Sequence, residues 1–168
     1  KNLRVKKSYT AIVKGIVSEE MKFDEPILTI KTRSGAFSKI SPNGKSAFSE
    51  VYPLMVSGKK SLVKVRIETG RTHQIRVHLS SINRHILGDH LYGFKSENAK
   101  ISRISLHAYL LYFIHPRSGK EVKICAGLPS EFLNFTTNQK VKDEIYEKIL
   151  PTNVERYFSD TSGWLRYV

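Results

Sequence analysis

The chain has 168 residues, 40% of them hydrophobic and 26% charged, with 28 Lys and Arg against 15 Asp and Glu and a formal net charge of +13. That length supports one domain with its own core, and the cationic excess favours a polyanionic partner, a nucleic acid before an anionic membrane. No apolar run approaches the roughly 20 residues of a membrane-spanning helix, and Cys125, the sole cysteine, excludes an internal disulfide and a Cys-rich zinc site. The expectation is a nucleic-acid-binding protein of the reducing cytoplasm.

The elements follow in chain order. Lys1 to Lys7 is basic, and Ser8 to Val17 reads as a strand. Glu25 to Lys31 holds a short apolar run that is strand-like, and Arg33 to Gly44, rich in Ser, Gly and Lys with Pro42, reads as an exposed basic loop. Ser46 to Val56 reads as a strand broken by Pro53, followed by a hairpin turn at Ser57-Gly58-Lys59-Lys60. Val63, Val65 and Ile67 then alternate with Lys64, Arg66 and Glu68, a period of two that predicts a strand with one buried and one solvated face.

Gly70 ends that strand, and Thr72 is a plausible N-cap for a helix whose apolar stripe is Ile75, His78, Leu79 and Ile82. His85 to Phe94 is a loop with two glycines. Ser105 to His115 reads as a central strand ending at Pro116, with a turn at Arg117-Ser118-Gly119-Lys120 and a return strand over Glu121 to Ala126. Pro129 opens a helix over Ser130 to Phe135, and Lys140 to Leu150 predicts a second one. Strands followed by helices give an α+β fold with a mixed, largely antiparallel sheet.

The chemistry is densest at Glu68 to Leu79, ETGRTHQIRVHL, where Arg71, His73, Gln74, Arg76 and His78 crowd the start of the helix. A helix N-terminus offers unpaired N–H groups to an anion, and guanidinium groups add forked donors for phosphate or carboxylate. His73 and His78 lack zinc-helix spacing, so no metal site is expected. His78 lies on the apolar stripe and reads as a core residue. Asp89 reads chiefly as fixing its own loop, with pairing to a basic group as the other reading. Tyr92 reads as packing, and His107 and His115 as structural. Lys31, Arg33, Lys39 and Lys45 form a candidate phosphate-binding cluster.

GRTHQIRVHL at Gly70 to Leu79, followed by GDHLYG at Gly88 to Gly93, resembles the hallmark pair of the RluA family of RNA pseudouridine synthases. Lys7-Ser8-Tyr9 resembles that family's K-x-Y segment, Gly44-Lys45 with Ala47 its G-K-x-A segment, and Leu106-His107-Ala108 with His115-Pro116 its L-H-A and H-P strand. The resemblance implies the pseudouridine synthase fold, isomerisation of uridine in ribosomal or transfer RNA, and no metal or organic cofactor. It implies that Arg76 pairs with a nucleophilic aspartate, that Tyr9 lies against the target base, and that Arg71, His73 and Gln74 contact RNA or position Arg76.

The family's H-R-L-D-x-x-T-S-G segment, which carries that aspartate, has no match before Lys7. Residues 1–168 are therefore expected to be the carboxy-terminal part of the catalytic domain, inactive alone. A partial echo, Arg156 with Asp160-Thr161-Ser162-Gly163, puts Phe158 at the nucleophile position and reads as coincidence. The alternative is a non-catalytic RNA-binding protein on the same scaffold. A metal-dependent nuclease is disfavoured by the lack of a carboxylate or Cys/His cluster, and a basic ribosome-associated module is the remaining rival.

Overall fold

The computed structural model describes residues 5–33, 35–94 and 101–135, with 140, 142–144 and 147 beyond them. Among the described residues there are eight strands: β1 Val5–Lys14, β2 Met21–Asp24, β3 Ile27–Thr32, β4 Gly35–Ile40, β5 Phe48–Ser57, β6 Lys60–Ile67, β7 Leu106–Ile114 and β8 Glu121–Cys125. The helices α1 Gln74–Ser81 and α2 Ser130–Leu133 accompany them. Six strands form one sheet in the order β2-β5-β6-β1-β7-β8, and β3 pairs with β4 in a separate ribbon. The pairings of these strands are all antiparallel.

The middle of the sheet is buried on both faces. One face carries Ala11, Val13, Val51, Val63, Val65 and Ile67, which pack against Ile75 and Leu79 of α1. The other carries Ile12, Leu54 and Leu62 against Phe132 and Phe135. At ~1.5–3 kcal/mol per buried large apolar side chain, these two layers supply the main stabilisation. β5 bulges between Pro53 and Met55, where a residue without an N–H interrupts the ladder at least cost.

Several expectations need correction. The basic stretch at Arg33 to Gly44 is not all loop, because Gly35–Ile40 is β4, in register with β3 from Ile27↔Ile40 to Thr32↔Gly35. β7 is not central. It sits next to the edge strand β8, while β6 and β1 hold the middle. β6 is not solvated on its charged side: Lys64 is fully buried, with its Nζ 5.6 Å from the Tyr52 ring centroid. Arg66 there pairs with Glu50 at 2.8 Å and with Glu68 at 3.0 Å. The helix expected over Lys140 to Leu150 lies largely outside the described residues, and the tail with Asp160 to Gly163 wholly so.

Burial of Lys64, with Arg66 adding repulsion, lowers its pKa to about 7. Between about pH 7 and the ordinary lysine value the unfolded chain binds a proton that the folded chain does not, so Lys64 makes stability rise with pH across that window. Lys64→Met is expected to flatten that rise. Urea unfolding of both proteins at pH 7 and pH 10 checks it.

Candidate active site

The site grows from the turn between β6 and α1. Gln74, 3% exposed, clamps this turn with its whole side-chain amide. Its Oε1 accepts from Thr69 Oγ1 at 2.8 Å and from Arg71 N–H at 3.0 Å. Its Nε2 donates to Phe48 O at 2.9 Å and to Ser49 Oγ at 3.0 Å. Both lone-pair sites and both N–H groups are thereby occupied, so Gln74 positions the turn and offers nothing to a ligand. Ser49 Oγ continues the chain to His78 Nδ1 at 3.0 Å, and His78 Nε2 lies 3.2 Å from Glu25 O. His78 is fully buried and stacked on Phe23 at 5.2 Å, a core residue as read from the sequence.

The N-cap is His73 rather than Thr72, and its backbone is left-handed, φ 57° and ψ 19°. That conformation is uncommon for a residue other than Gly, Asn or Asp and marks a backbone held by its surroundings. It lets α1 start abruptly, so that Arg76 projects from its first turn. Ile82, expected on the apolar stripe, falls beyond the helix and is 36% exposed.

Residues 85–87 dock onto the end of β1, with Lys14 N–H donating to His85 O and Leu87 N–H to Ile12 O, each at 2.9 Å. Gly88 then turns the chain at φ 76°, with Arg103 backbone packed where a side chain would begin. Gly88→Ala is therefore expected to destabilise the fold by on the order of 3 kcal/mol, through steric overlap and a left-handed backbone together. Thermal unfolding measures it, and an unchanged Tm would refute the packing.

This turn delivers Asp89, 1% exposed, to Arg76. Arg76 Nε donates to Oδ2 at 2.9 Å and Nη2 to Oδ1 at 2.8 Å, a two-pronged pair. Oδ1 also accepts from the backbone N–H groups of Leu91 and Tyr92, each at 3.0 Å. Burial pushes the Asp89 carboxyl up, but the Arg76 guanidinium and those N–H groups outweigh it and hold it below the usual carboxylate range. The two readings of Asp89, loop fixing and pairing with a base, thus coincide in one residue.

Tyr92, read from the sequence as packing, is a hub. Its ring lies beneath the Arg76 guanidinium, 4.9 Å from Cζ to centroid, and stacks on Phe37 at 5.3 Å. Its Oη accepts from Ser38 N–H of β4 at 2.8 Å and lies 2.9 Å from His73 Nδ1. Helix, turn and ribbon therefore meet at this one side chain. The spacing Asp89 to Tyr92 is visible in GDHLYG, but nothing local to it indicates the contacts with Arg76, His73 and Ser38.

Arg76 remains partly open, its side chain 20% exposed. The pairing with Asp89 uses Nε and Nη2, and Nη1 makes no hydrogen bond among the described residues. That edge can serve a second anion. Arg71 Nε donates to Ser46 O at 2.8 Å, which fixes its stem beside the same turn. Tyr9 lies on the α1 side of the sheet at the bulge between Ser8 and Tyr9, half-buried against the cluster that holds Ile75 and Leu79. Burial raises its phenol pKa. Lys31, Arg33, Lys39 and Lys45 are all exposed, the first three on the β3–β4 ribbon and its turn. Among the described residues, no three His, Cys, Asp or Glu side chains converge as metal ligands would.

Sheet, helix and turn define an α+β domain that holds a braced, partly exposed guanidinium. Residues 1–81 match the family model described as RNA pseudouridylate synthase. A protein of Helicobacter pylori (strain J99 / ATCC 700824) named "Uncharacterized RNA pseudouridine synthase" is 49% identical over 132 residues, 79% of this chain and 51% of that protein. The "Ribosomal large subunit pseudouridine synthase D" of Haemophilus ducreyi is 33% identical over 160 residues, 85% of this chain and 49% of that protein. Among solved structures, human RNA pseudouridylate synthase domain containing 1 superposes with a TM-score of 0.64 at 28% identity, covering 75% of this chain and 56% of that one. The chain belongs to the RNA pseudouridine synthase family. It spans about half the length of the curated relatives it matches.

Proposed function

We propose that the complete protein isomerises uridine to pseudouridine in RNA, ribosomal or transfer, in the cytoplasm. Family membership supports the reaction, and the net charge of +13 supports the RNA. The observation that carries the reading is the Arg76 guanidinium, oriented from one side by Asp89 and from below by Tyr92, with its Nη1 edge open.

The reaction breaks the N1–C1′ bond of uridine and forms a C5–C1′ bond, with one proton leaving C5 and one ending on N1, so that no atom is gained or lost. The target base leaves its stack at a cost of a few kcal/mol. Tyr9 supplies an aromatic face for it, a contact that tolerates small displacements. The nucleophilic carboxylate must stay charged in a pocket that excludes water, and a paired cation does this. Arg76 is the candidate, because Asp89 already holds its guanidinium and the open Nη1 edge need not reorganise when the carboxylate and the RNA arrive.

The test is incubation of the complete protein with ribosomal and transfer RNA transcripts, followed by mapping of pseudouridine at nucleotide resolution. Stoichiometric product at a defined uridine supports the reading. RNA binding without product would instead favour the non-catalytic RNA-binding scaffold.

A further inference from the structure

The Tyr92 hydroxyl has one hydrogen and two lone pairs. Ser38 N–H donates to it at 2.8 Å, and His73 Nδ1 lies 2.9 Å from it. The Ser38 hydroxyl also acts on Tyr92 but is engaged with Thr29 Oγ1 at 3.0 Å, which leaves Nδ1 as the partner for that hydroxyl hydrogen. The hydrogen therefore points at Nδ1, which makes Nδ1 the acceptor and leaves the imidazole proton on Nε2. Nε2 itself makes no hydrogen bond to the described residues.

We propose that Tyr92 is a positioning residue that fixes His73 as a neutral imidazole protonated on Nε2, and that this N–H donates to an acceptor oxygen of the RNA beside Arg76. Three further observations agree. The two rings meet edge to face at 5.6 Å and 77°, which sets the plane of the imidazole. The left-handed backbone at His73, φ 57°, fixes the direction in which the side chain leaves the helix start. The charged groups acting on it are Arg76 from α1 and Asp89 from the turn, while the ribbon brings Phe37 and Ser38 to Tyr92. Burial, then Arg76, lower the His73 pKa and Asp89 partly opposes them, so the ring is neutral at neutral pH. Tyr92 stays protonated, because burial raises its pKa despite the Ser38 N–H, Arg76 and the Ser38 hydroxyl.

A neutral donor recognises an oxygen without displacing a counterion, so its loss weakens RNA recognition without changing the salt dependence. Specificity then comes from the direction of one N–H rather than from charge. The substrate class rests on the pseudouridine synthase reading above; the protonation state of His73 does not.

The experiment has two arms. In the first, the complete protein labelled with 15N-histidine is examined by NMR at pH 7.5. The Nε2–H tautomer is expected for His73, and an Nδ1–H tautomer overturns the proposal. Tyr92→Phe keeps the ring and removes the hydroxyl; it should give a tautomer mixture and a higher His73 pKa, and an unchanged tautomer and pKa overturn the positioning role. In the second arm, His73→Ala is assayed on a ribosomal or transfer RNA transcript. KM is expected to rise about threefold to tenfold, the worth of one hydrogen bond, with kcat nearly unchanged and the salt slope of KM unaltered. An unchanged KM, or a salt slope shallower by about 0.7–0.9, overturns the neutral donor. A 2-thio or 4-thio target uridine cancels the penalty if the acceptor is that base carbonyl and leaves it intact if it is a phosphate oxygen. Absence of product with the wild-type protein would count against the pseudouridine synthase reading alone, since the NMR arm still decides the Tyr92–His73 pair.

Discussion

Arg76→Ala in the complete protein is expected to lower turnover by ~10³-fold or more while weakening RNA affinity by less than about tenfold. The asymmetry follows from the geometry. A phosphate contact supports bound and reacting RNA alike, whereas a cation that keeps a buried carboxylate ionised matters chiefly during the reaction. Arg76→Lys should recover little, because a lysine ammonium cannot reproduce the Nε and Nη2 fork on Asp89. The measurement is single-turnover product formation set beside equilibrium RNA binding. Equal losses in both would make Arg76 a phosphate contact and nothing more.

Asp89→Asn is expected to cost about 3 kcal/mol of folding stability at pH 7, near the lower end for a broken buried pair because the Arg76 side of it is partly exposed. Asparagine keeps an oxygen for the Leu91 and Tyr92 N–H groups but loses the charge that holds Arg76. The pH dependence has a definite sign. The folded Asp89 carboxyl is held below its usual value, so its stabilisation is fully present above the ordinary Asp pKa of about 4 and is lost as pH falls through the lower folded value. Urea unfolding should therefore show a gap between wild type and Asp89→Asn at pH 7 that narrows below about pH 4. A gap independent of pH would show that packing, not charge, is what Asn fails to supply.

The turn and helix at Glu68 to Leu79 were legible because their signals are local: alternation before Gly70, crowded polar side chains after it, and an apolar stripe through Ile75 and Leu79. Strand alternation likewise found β6, but it could not tell that Lys64 on the charged face is buried and that Arg66 there is paired with Glu50 and Glu68. Leu62 on that face clusters with Leu54 of β5 and with Phe132 and Phe135, the last two more than 60 residues later in the chain. β4 was hidden by composition, since Gly, Ser and Lys carry weak strand preference and its pairing with β3 lies in a ribbon outside the main sheet. The Leu106 to Ile114 run looked central because it is apolar apart from His107, yet several of its residues are only half-buried.

The site divided along the same line. Arg76, Arg71, His73, Gln74 and Tyr9 could be named from motif and chemistry. The division of labour among them could not, because it depends on where Asp89, Tyr92 and Ser38 arrive. Gln74 proved to be a fully occupied clamp, while Tyr92 joins three elements. A sequence separation of 13 between Arg76 and Asp89, or 54 between Ser38 and Tyr92, leaves no periodic trace.

The most direct test of the central claim is a pseudouridine map of ribosomal and transfer RNA from cells that carry either the wild-type protein or Arg76→Ala at equal abundance. The structure and the family together predict that one or more uridines modified in the wild type remain unmodified in the variant. Identical maps would contradict the assignment of Arg76 to the reaction.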